Sequence, residues 1–302
     1  MRKISVAIIG GGPAGLTAGL YAARAGLETV MFESGFPGGQ ASTTDALHNY
    51  PGFPGGIGGP ELMANFAQQA EEAGMQTEYA GVSALDLSSE PKIITTEMGE
   101  KFEAEAVILC MGAKARKLDV PGEEMNIGRG VSYCATCDGA LYRDKEVVIV
   151  GGGNTAVEDG LYLARSCRSV TLIHRRDKLR ASGHDVERLK ALSNVQFMLK
   201  ETISAIERRD GRLLLQLGSG ASLPTDGLFV AVGTVPQTDL VKDQIELDEQ
   251  GYILSGEDTL TSLPGVFAAG DIRRKPLRQV VTAASDGAVA ATAAAGYISS
   301  RN

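Results

Sequence analysis

Two stretches decide the fold: VAIIGGGPAGLTAGLYAAR at residues 6–24 and VVIVGGGNTAVEDGLYLAR at residues 147–165. They align without a gap at an offset of 141 positions. Each opens with an apolar run, passes through three glycines and continues into a helix-length segment. Each then reaches a second apolar run, at Thr29 to Phe32 and at Val170 to Ile173. Strand, glycine turn, helix and strand make a βαβ unit, written twice in one chain.

The glycines have a physical reason in both copies. In Gly10-x-Gly12-x-x-Gly15 the first permits a tight turn and the second lets backbone approach a pyrophosphate. The third lets helix and strand pack closely, with the phosphates at the helix N-terminus. The second copy, Gly151-x-Gly153-x-x-Ala156, carries the tolerated alanine at its third position. One such motif is weak, because glycine turns have many causes. Two, each between strand and helix with matching downstream spacing, predict two dinucleotide sites.

The copies diverge where the ligand chemistry would. A ribose 2′-hydroxyl calls for an acid about 20 residues beyond the turn. The first copy has Glu33 there, which suits the adenosine end of FAD or NAD. The same offset in the second copy gives His174, followed by Arg175, Arg176 and Arg180. Arginine forks match phosphate oxygens, so this set reads as a 2′-phosphate site; the plain alternative is a solvated helix start. The assignment is FAD for the first copy and NADPH for the second. A later strand, Val266 to Ala269, ends in Gly270-Asp271 before a small-residue helix, and can bring a carboxylate to a ribityl hydroxyl. Because it lies beyond the second repeat, the second domain is expected to be inserted into the first. The expected fold class is α/β, with two Rossmann-like dinucleotide-binding domains. An FAD domain of residues 1–114 and 248–302 would flank an NADPH domain of residues 115–247.

Composition sets the outer bounds. The 302 residues suffice for two cores, since single cores rarely grow beyond about 250 residues. Glycine is enriched, at 38 residues against a usual share of ~7%. A net charge of -8 argues against nucleic acid as the main partner. No apolar stretch approaches the ~20 residues of a membrane helix, and the first residues read as a strand with no signal peptide. A cytoplasmic location is expected.

Among four cysteines, Cys134 and Cys137 form a Cys-x-x-Cys just before the second βαβ unit. This spacing at a helix start lets two sulfurs meet and lowers a thiol pKa. Half a zinc site and an inert bridge are the alternatives. No second CxxC or HxxxH accompanies Cys110, Cys167, His48, His174 and His184, so no metal is expected. Cys110, in an apolar strand, and Cys167, in a turn, read as structural. Asp138 follows the pair; it is either an acid that protonates a leaving thiolate or a helix-capping aspartate.

With these residues in place, the chain resembles the low-molecular-weight bacterial thioredoxin reductases over essentially its whole length. The matching motifs include Gly10 to Gly15, Gly38-Gly39-Gln40, Asn49-Tyr50-Pro51-Gly52, Cys134-Ala-Thr-Cys137-Asp138-Gly139, Gly151 to Ala156, His174-Arg-Arg with Arg180, Gly270-Asp271 and Arg278-Gln279. The resemblance implies that Gln40, Asn49, Asp271, Arg278 and Gln279 surround FAD. It implies that Cys137 faces the flavin, Cys134 attacks the partner and Asp138 is the acid/base. It implies a homodimer that reduces thioredoxin with electrons from NADPH; another dithiol protein or a small disulfide is the alternative acceptor. A ferredoxin–NADP reductase of similar fold lacks the CxxC, and a flavin-binding sensor would not turn over. Three places depart from the family pattern: Cys110-Met111, His48, and Arg273 to Leu277.

Overall fold

The computed structural model describes every residue except Asp45, Ser182 and Asn302. The chain opens with β1 (Arg2–Ile9), α1 (Pro13–Arg24), β2 (Thr29–Phe32), α2 (Gly59–Glu72), β3 (Gln76–Glu78), β4 (Val82–Asp86), β5 (Lys92–Thr96) and β6 (Lys101–Leu109). It continues through β7 (Ala113–Ala115), β8 (Val131–Ser132), α3 (Ala135–Asp138), β9 (Glu146–Gly151), α4 (Asn154–Leu163), β10 (Ser169–His174), α5 (Gly183–Lys190) and β11 (Val195–Leu199). After these come β12 (Ile203–Arg209), β13 (Arg212–Leu217), β14 (Ser222–Thr225), β15 (Gly227–Ala231), β16 (Thr234–Pro236), β17 (Val266–Ala268) and α6 (Val280–Ser299).

Two compact units result: Met1–Lys114 with Val235–Asn302, and Ala115–Thr234. In the first unit β3, β2, β1, β6 and β17 run parallel in that order. β5 and β4 extend the sheet antiparallel from β6. In the second, β11, β10, β9, β15 and β8 form a parallel sheet beside the antiparallel β12-β13-β14. The repeat survives as register: Val6 pairs Thr29 and Ile9 pairs Phe32, while Val147 pairs Val170 and Val150 pairs Ile173. β2 is buried throughout and β9 nearly so, as expected of parallel strands covered on both faces.

Residues 235–247, which the sequence places in the inserted segment, pack in the first unit instead. Val241 and Ile245 lie in its core with Leu85, Leu87, Ile253 and Ile272. The Gln244 side chain donates to the Leu85 carbonyl at 2.8 Å and accepts from the Leu87 amide at 2.9 Å. An apolar stretch near a join can serve either core, and here these contacts decide.

Small residues bring α1 and α6 together. Ala14, Ala18 and Ala22 are buried on α1; Ala283, Ala290, Ala291 and Ala294 are buried on α6. At Gly287 a Cβ would come within 2.2 Å of the Ala14 carbonyl oxygen, so no side chain fits between the helices. At Gly296 on the same helix a Cβ would meet nothing within 4 Å. Gly287→Val is therefore expected to destabilise the protein by at least ~1–3 kcal/mol through overpacking. Gly296→Ala should be neutral or stabilising by up to ~1 kcal/mol through helix propensity. Urea unfolding of the two variants checks the contrast, and equal effects would refute the packing argument.

Candidate active site

In the first unit the sequence motif closes on itself as a corner between β1 and α1. Gly10 has φ +102, and a Cβ there would lie 2.7 Å from the Cys110 carbonyl oxygen. A Cβ on Gly15 would lie 1.9 Å from the Gly10 carbonyl oxygen, which is the helix–strand approach that demands the third glycine. Gly12 begins the helix with Pro13 at its first turn, a proline-compatible position lacking an amide partner. Its Cβ direction is open, with only the Gly39 Cα at 4.0 Å, and the Gly38 amide donates to the Gly11 carbonyl at 2.7 Å. Glu33 accepts from the Gly11 amide at 2.8 Å through Oε2 and from the Gly35 amide at 3.0 Å through Oε1. The acid thus stands against the glycine turn, where a ribose hydroxyl would need it.

The other residues placed around FAD by resemblance lie in this unit as well. Asn49 donates to Gln279 Oε1 at 3.0 Å. The Gln279 side chain accepts from an amide of the first turn of α6, and Thr282 accepts from the Gln279 amide, a capping box. The Arg278 guanidinium lies over the Tyr252 ring at 4.2 Å. Gln40 donates to the Ala113 carbonyl. Asp271 follows Gly270 at the end of β17, and its Oδ1 is buried with no hydrogen-bond partner among the described residues; Arg278 Nε is in the same position. Burial raises the Asp271 pKa, with Lys275 and Arg278 pulling it down. A buried acceptor and donor without partners, beside an open glycine turn and a ribose-type acid, fit a flavin dinucleotide with a polyhydroxyl chain.

Sequence reading missed what holds this segment. Asp286, buried on α6, accepts from the Gly270 amide at 2.9 Å, from Arg273 at 2.8 and 2.7 Å, and from Lys275 at 2.7 Å. Arg273 and Lys275 belong to the run that departs from the family pattern, and their charges end on this carboxylate. Burial alone would raise the Asp286 pKa, but hydrogen bonds from Arg273 and Lys275 outweigh it and hold the carboxyl below its ordinary value.

In the second unit the corner is repeated with Gly151 and Ala156, whose Cβ lies 2.8 Å from a Cβ built at Gly151. A Cβ on Gly153 would meet nothing within 4 Å, leaving the approach open. His174 takes the place of Glu33 but differs from its sequence reading as part of a cationic set. It is 6% exposed, and its ring fills the space a Gly152 side chain would occupy. Burial, then repulsion from Arg180, Arg176 and Arg175, lowers its pKa and keeps it neutral near pH 7. Its Nε2 is buried without a partner among the described residues. The cations are Arg175, Arg176 and Arg180, all exposed and without an ion pair among the described residues. The Arg180 amide donates to the Gly152 carbonyl at 2.7 Å, tying this loop to the glycine turn.

The redox segment also lies in the second unit. Cys134 and Cys137 are joined as a disulfide, with Cα atoms 5.3 Å apart. The helix they enter, α3, is four residues long, so it contributes far less dipole than the sequence reading assumed. Asp138 lies in the first turn of α3 and makes no side-chain cap to the turn that follows. Its Oδ2 accepts from Ser132 Oγ at 2.6 Å. Ser132 gave no sequence signal. Tyr133, beside Cys134, donates to the buried Glu123 at 2.8 Å. Cys110 and Cys167 are free and buried, and burial raises both thiol pKa values. Among the described residues no three His, Cys, Asp or Glu side chains are grouped to hold a metal, and no helix is long and apolar enough to cross a membrane.

The family model for pyridine nucleotide-disulphide oxidoreductases matches residues 4–287. A thioredoxin reductase of Listeria innocua is 44% identical over 301 residues, covering 97% of this chain and 93% of that protein. A bifunctional thioredoxin reductase/thioredoxin of Mycobacterium leprae is 43% identical over 95% of this chain; the chain spans 64% of that protein's length. The crystal structure of thioredoxin reductase from Streptococcus pyogenes superposes with a TM-score of 0.92 at 40% identity, covering 99% of both chains.

Asp286→Asn should leave Lys275 buried without its counter-charge and Arg273 with only the exposed Glu257 at 3.4 Å, costing about 3–5 kcal/mol at neutral pH. Because the Asp286 pKa is depressed on folding, its stabilisation is present above the unfolded value of ~3.9 and fades as pH falls below it. Urea unfolding from neutral pH to below pH ~4 should show the gap between variant and parent narrowing with acid. A constant gap would refute the charge argument.

Proposed function

The chain belongs to the pyridine nucleotide-disulphide oxidoreductases and among them to the thioredoxin reductases, and from that premise we propose its electron path. Electrons enter from NADPH, pass through FAD to the Cys134–Cys137 disulfide, and leave to a thioredoxin disulfide. The observation that carries the reading is the closed Cys134–Cys137 pair, with Asp138 following directly, in a unit that also holds a glycine turn flanked by three exposed arginines.

Gly10, Gly12, Gly15 and Glu33 would hold the dinucleotide half of FAD, and Asp271 and Gly270 its ribityl chain. Gln40, Asn49, Arg278 and Gln279 would line the flavin. Bound flavin supplies two-electron transfer between a nicotinamide and a disulfide. Gly151, Gly153 and Ala156 would admit the NADPH pyrophosphate, Arg175, Arg176 and Arg180 would take its 2′-phosphate, and His174 would shape the turn as a neutral ring. Cys137 would be the sulfur nearer the flavin and Cys134 the one that attacks thioredoxin. Asp138 would hold and return the proton. A homodimer in the cytoplasm belongs to the same reading and rests on family membership.

Asp271→Ala removes the carboxylate assigned to the ribityl chain and is expected to purify with flavin absorbance reduced at least tenfold, as for loss of a charge-assisted hydrogen bond. Full flavin occupancy would refute that assignment. Arg175→Ala with Arg180→Ala should lower kcat/KM for NADPH by about 10- to 100-fold and leave NADH turnover unchanged, as two phosphate contacts require. Equal use of NADPH and NADH by the parent enzyme would refute the 2′-phosphate site.

A further inference from the structure

We propose that Ser132 is the positioning residue for proton transfer at the redox pair, holding Asp138 against the Cys134 backbone in both of its protonation states. The proposal rests on Asp138 acting as the acid/base. Ser132 closes β8, where its backbone is fixed by pairing with Phe229 of β15. It is 5% exposed, so its hydroxyl finds its partners within the protein. The hydroxyl accepts from the Cys134 amide at 3.1 Å. Its own proton has two acceptors in reach, Asp138 Oδ2 at 2.6 Å and the Cys134 carbonyl at 3.3 Å. On the other side of the segment, Tyr133 is anchored to Glu123, so the strand end that delivers Cys134 is held from both flanks.

A serine hydroxyl has one donor and two lone pairs. With Asp138 ionised, Ser132 donates to the carboxylate, the shorter of its two contacts. With Asp138 protonated, the acid donates to Ser132 Oγ and the serine proton turns to the Cys134 carbonyl. Neither residue has to leave its place, so the carboxyl stays aimed while it gains and loses a proton.

The exchange balances without a further reactant. Cys134 gives its proton to Asp138, and its thiolate attacks one thioredoxin sulfur, forming the mixed disulfide and breaking the thioredoxin S–S bond. The departing thioredoxin sulfur takes that proton. Cys137 then gives its proton to Asp138 and attacks Cys134 Sγ, re-forming the Cys134–Cys137 bond and breaking the mixed disulfide, and the second thioredoxin sulfur leaves as a thiol with that proton. Two electrons and two protons pass from the pair to thioredoxin.

The test isolates this exchange from hydride transfer. Flavin-loaded protein is reduced with excess dithiothreitol, freed of it anaerobically, and mixed with oxidised thioredoxin without NADPH. Samples are quenched with a thiol-alkylating reagent, and the thioredoxin dithiol is counted by mass. Asp138→Asn should slow exchange by about 100-fold or more, the usual worth of a positioned acid/base. Ser132→Ala should slow it by roughly 10- to 100-fold, as for a lost hydrogen bond to a charged group. Ser132→Thr, which keeps the hydroxyl, should restore it to within about twofold of the parent, a difference of no more than a few tenths of a kcal/mol. The double variant Ser132→Ala, Asp138→Asn should be no slower than Asp138→Asn alone. Parent-like exchange in Ser132→Ala beside a slow Asp138→Asn overturns the Ser132 proposal alone, as do additive effects in the double variant or an equally slow Ser132→Thr. Parent-like exchange in Asp138→Asn overturns the acid/base reading itself.

Discussion

The strand-to-helix corner is the constraint on which the rest depends. At Gly10 and Gly15 the backbone folds so closely that a single Cβ would collide with a carbonyl oxygen. That contact sets the first turn of α1 against the end of β1 at a fixed spot. Everything assigned to the first nucleotide is arranged about that spot: Glu33 on the turn, the Gly38–Gln40 loop beside it, and α6 laid on α1 through Gly287. The second unit repeats the corner in the same register but relaxes it, Ala156 standing where Gly15 stood.

What varies between the copies is the residue that reaches back to the turn. Glu33 reaches it as an acceptor, bonded to the Gly11 amide. His174 reaches it as a neutral ring packed over Gly152, and the charge is displaced outward to three exposed arginines. One backbone thus presents an acid in one unit and a cationic rim in the other. The difference lies at the end of the second strand and in the loop after it, on the same backbone.

The corners were legible because a close backbone approach leaves almost no choice but glycine, so the constraint is printed in the residue type. Cys134-x-x-Cys137 was legible because two sulfurs must meet over a short span. Depth is not printed in that way. A histidine closing a strand looks the same in sequence whether it faces solvent or lies beneath a glycine, and His174 does the second. Asp286 is hidden for a related reason. Its partners Gly270, Arg273 and Lys275 lie 16, 13 and 11 positions away and outside α6, so the periodicity of that helix says nothing about their meeting. Residues 235–247 carry apolar side chains that either core would accept, and only the contacts of Val241, Gln244 and Ile245 decide between them.

Ser132 is the extreme case. A serine closing a two-residue strand has no signature, yet its hydroxyl joins the backbone of one cysteine to the carboxylate beside the other. A disulfide exchange site needs its acid close enough to exchange a proton and its sulfurs free enough to exchange partners. Here α3 is one turn, and order comes from the flanks, through Ser132 on Asp138 and Tyr133 on Glu123. On the proposed path, fixing the neighbours rather than the sulfurs would leave Cys134 able to form a bond outside its own chain while Asp138 stays in place.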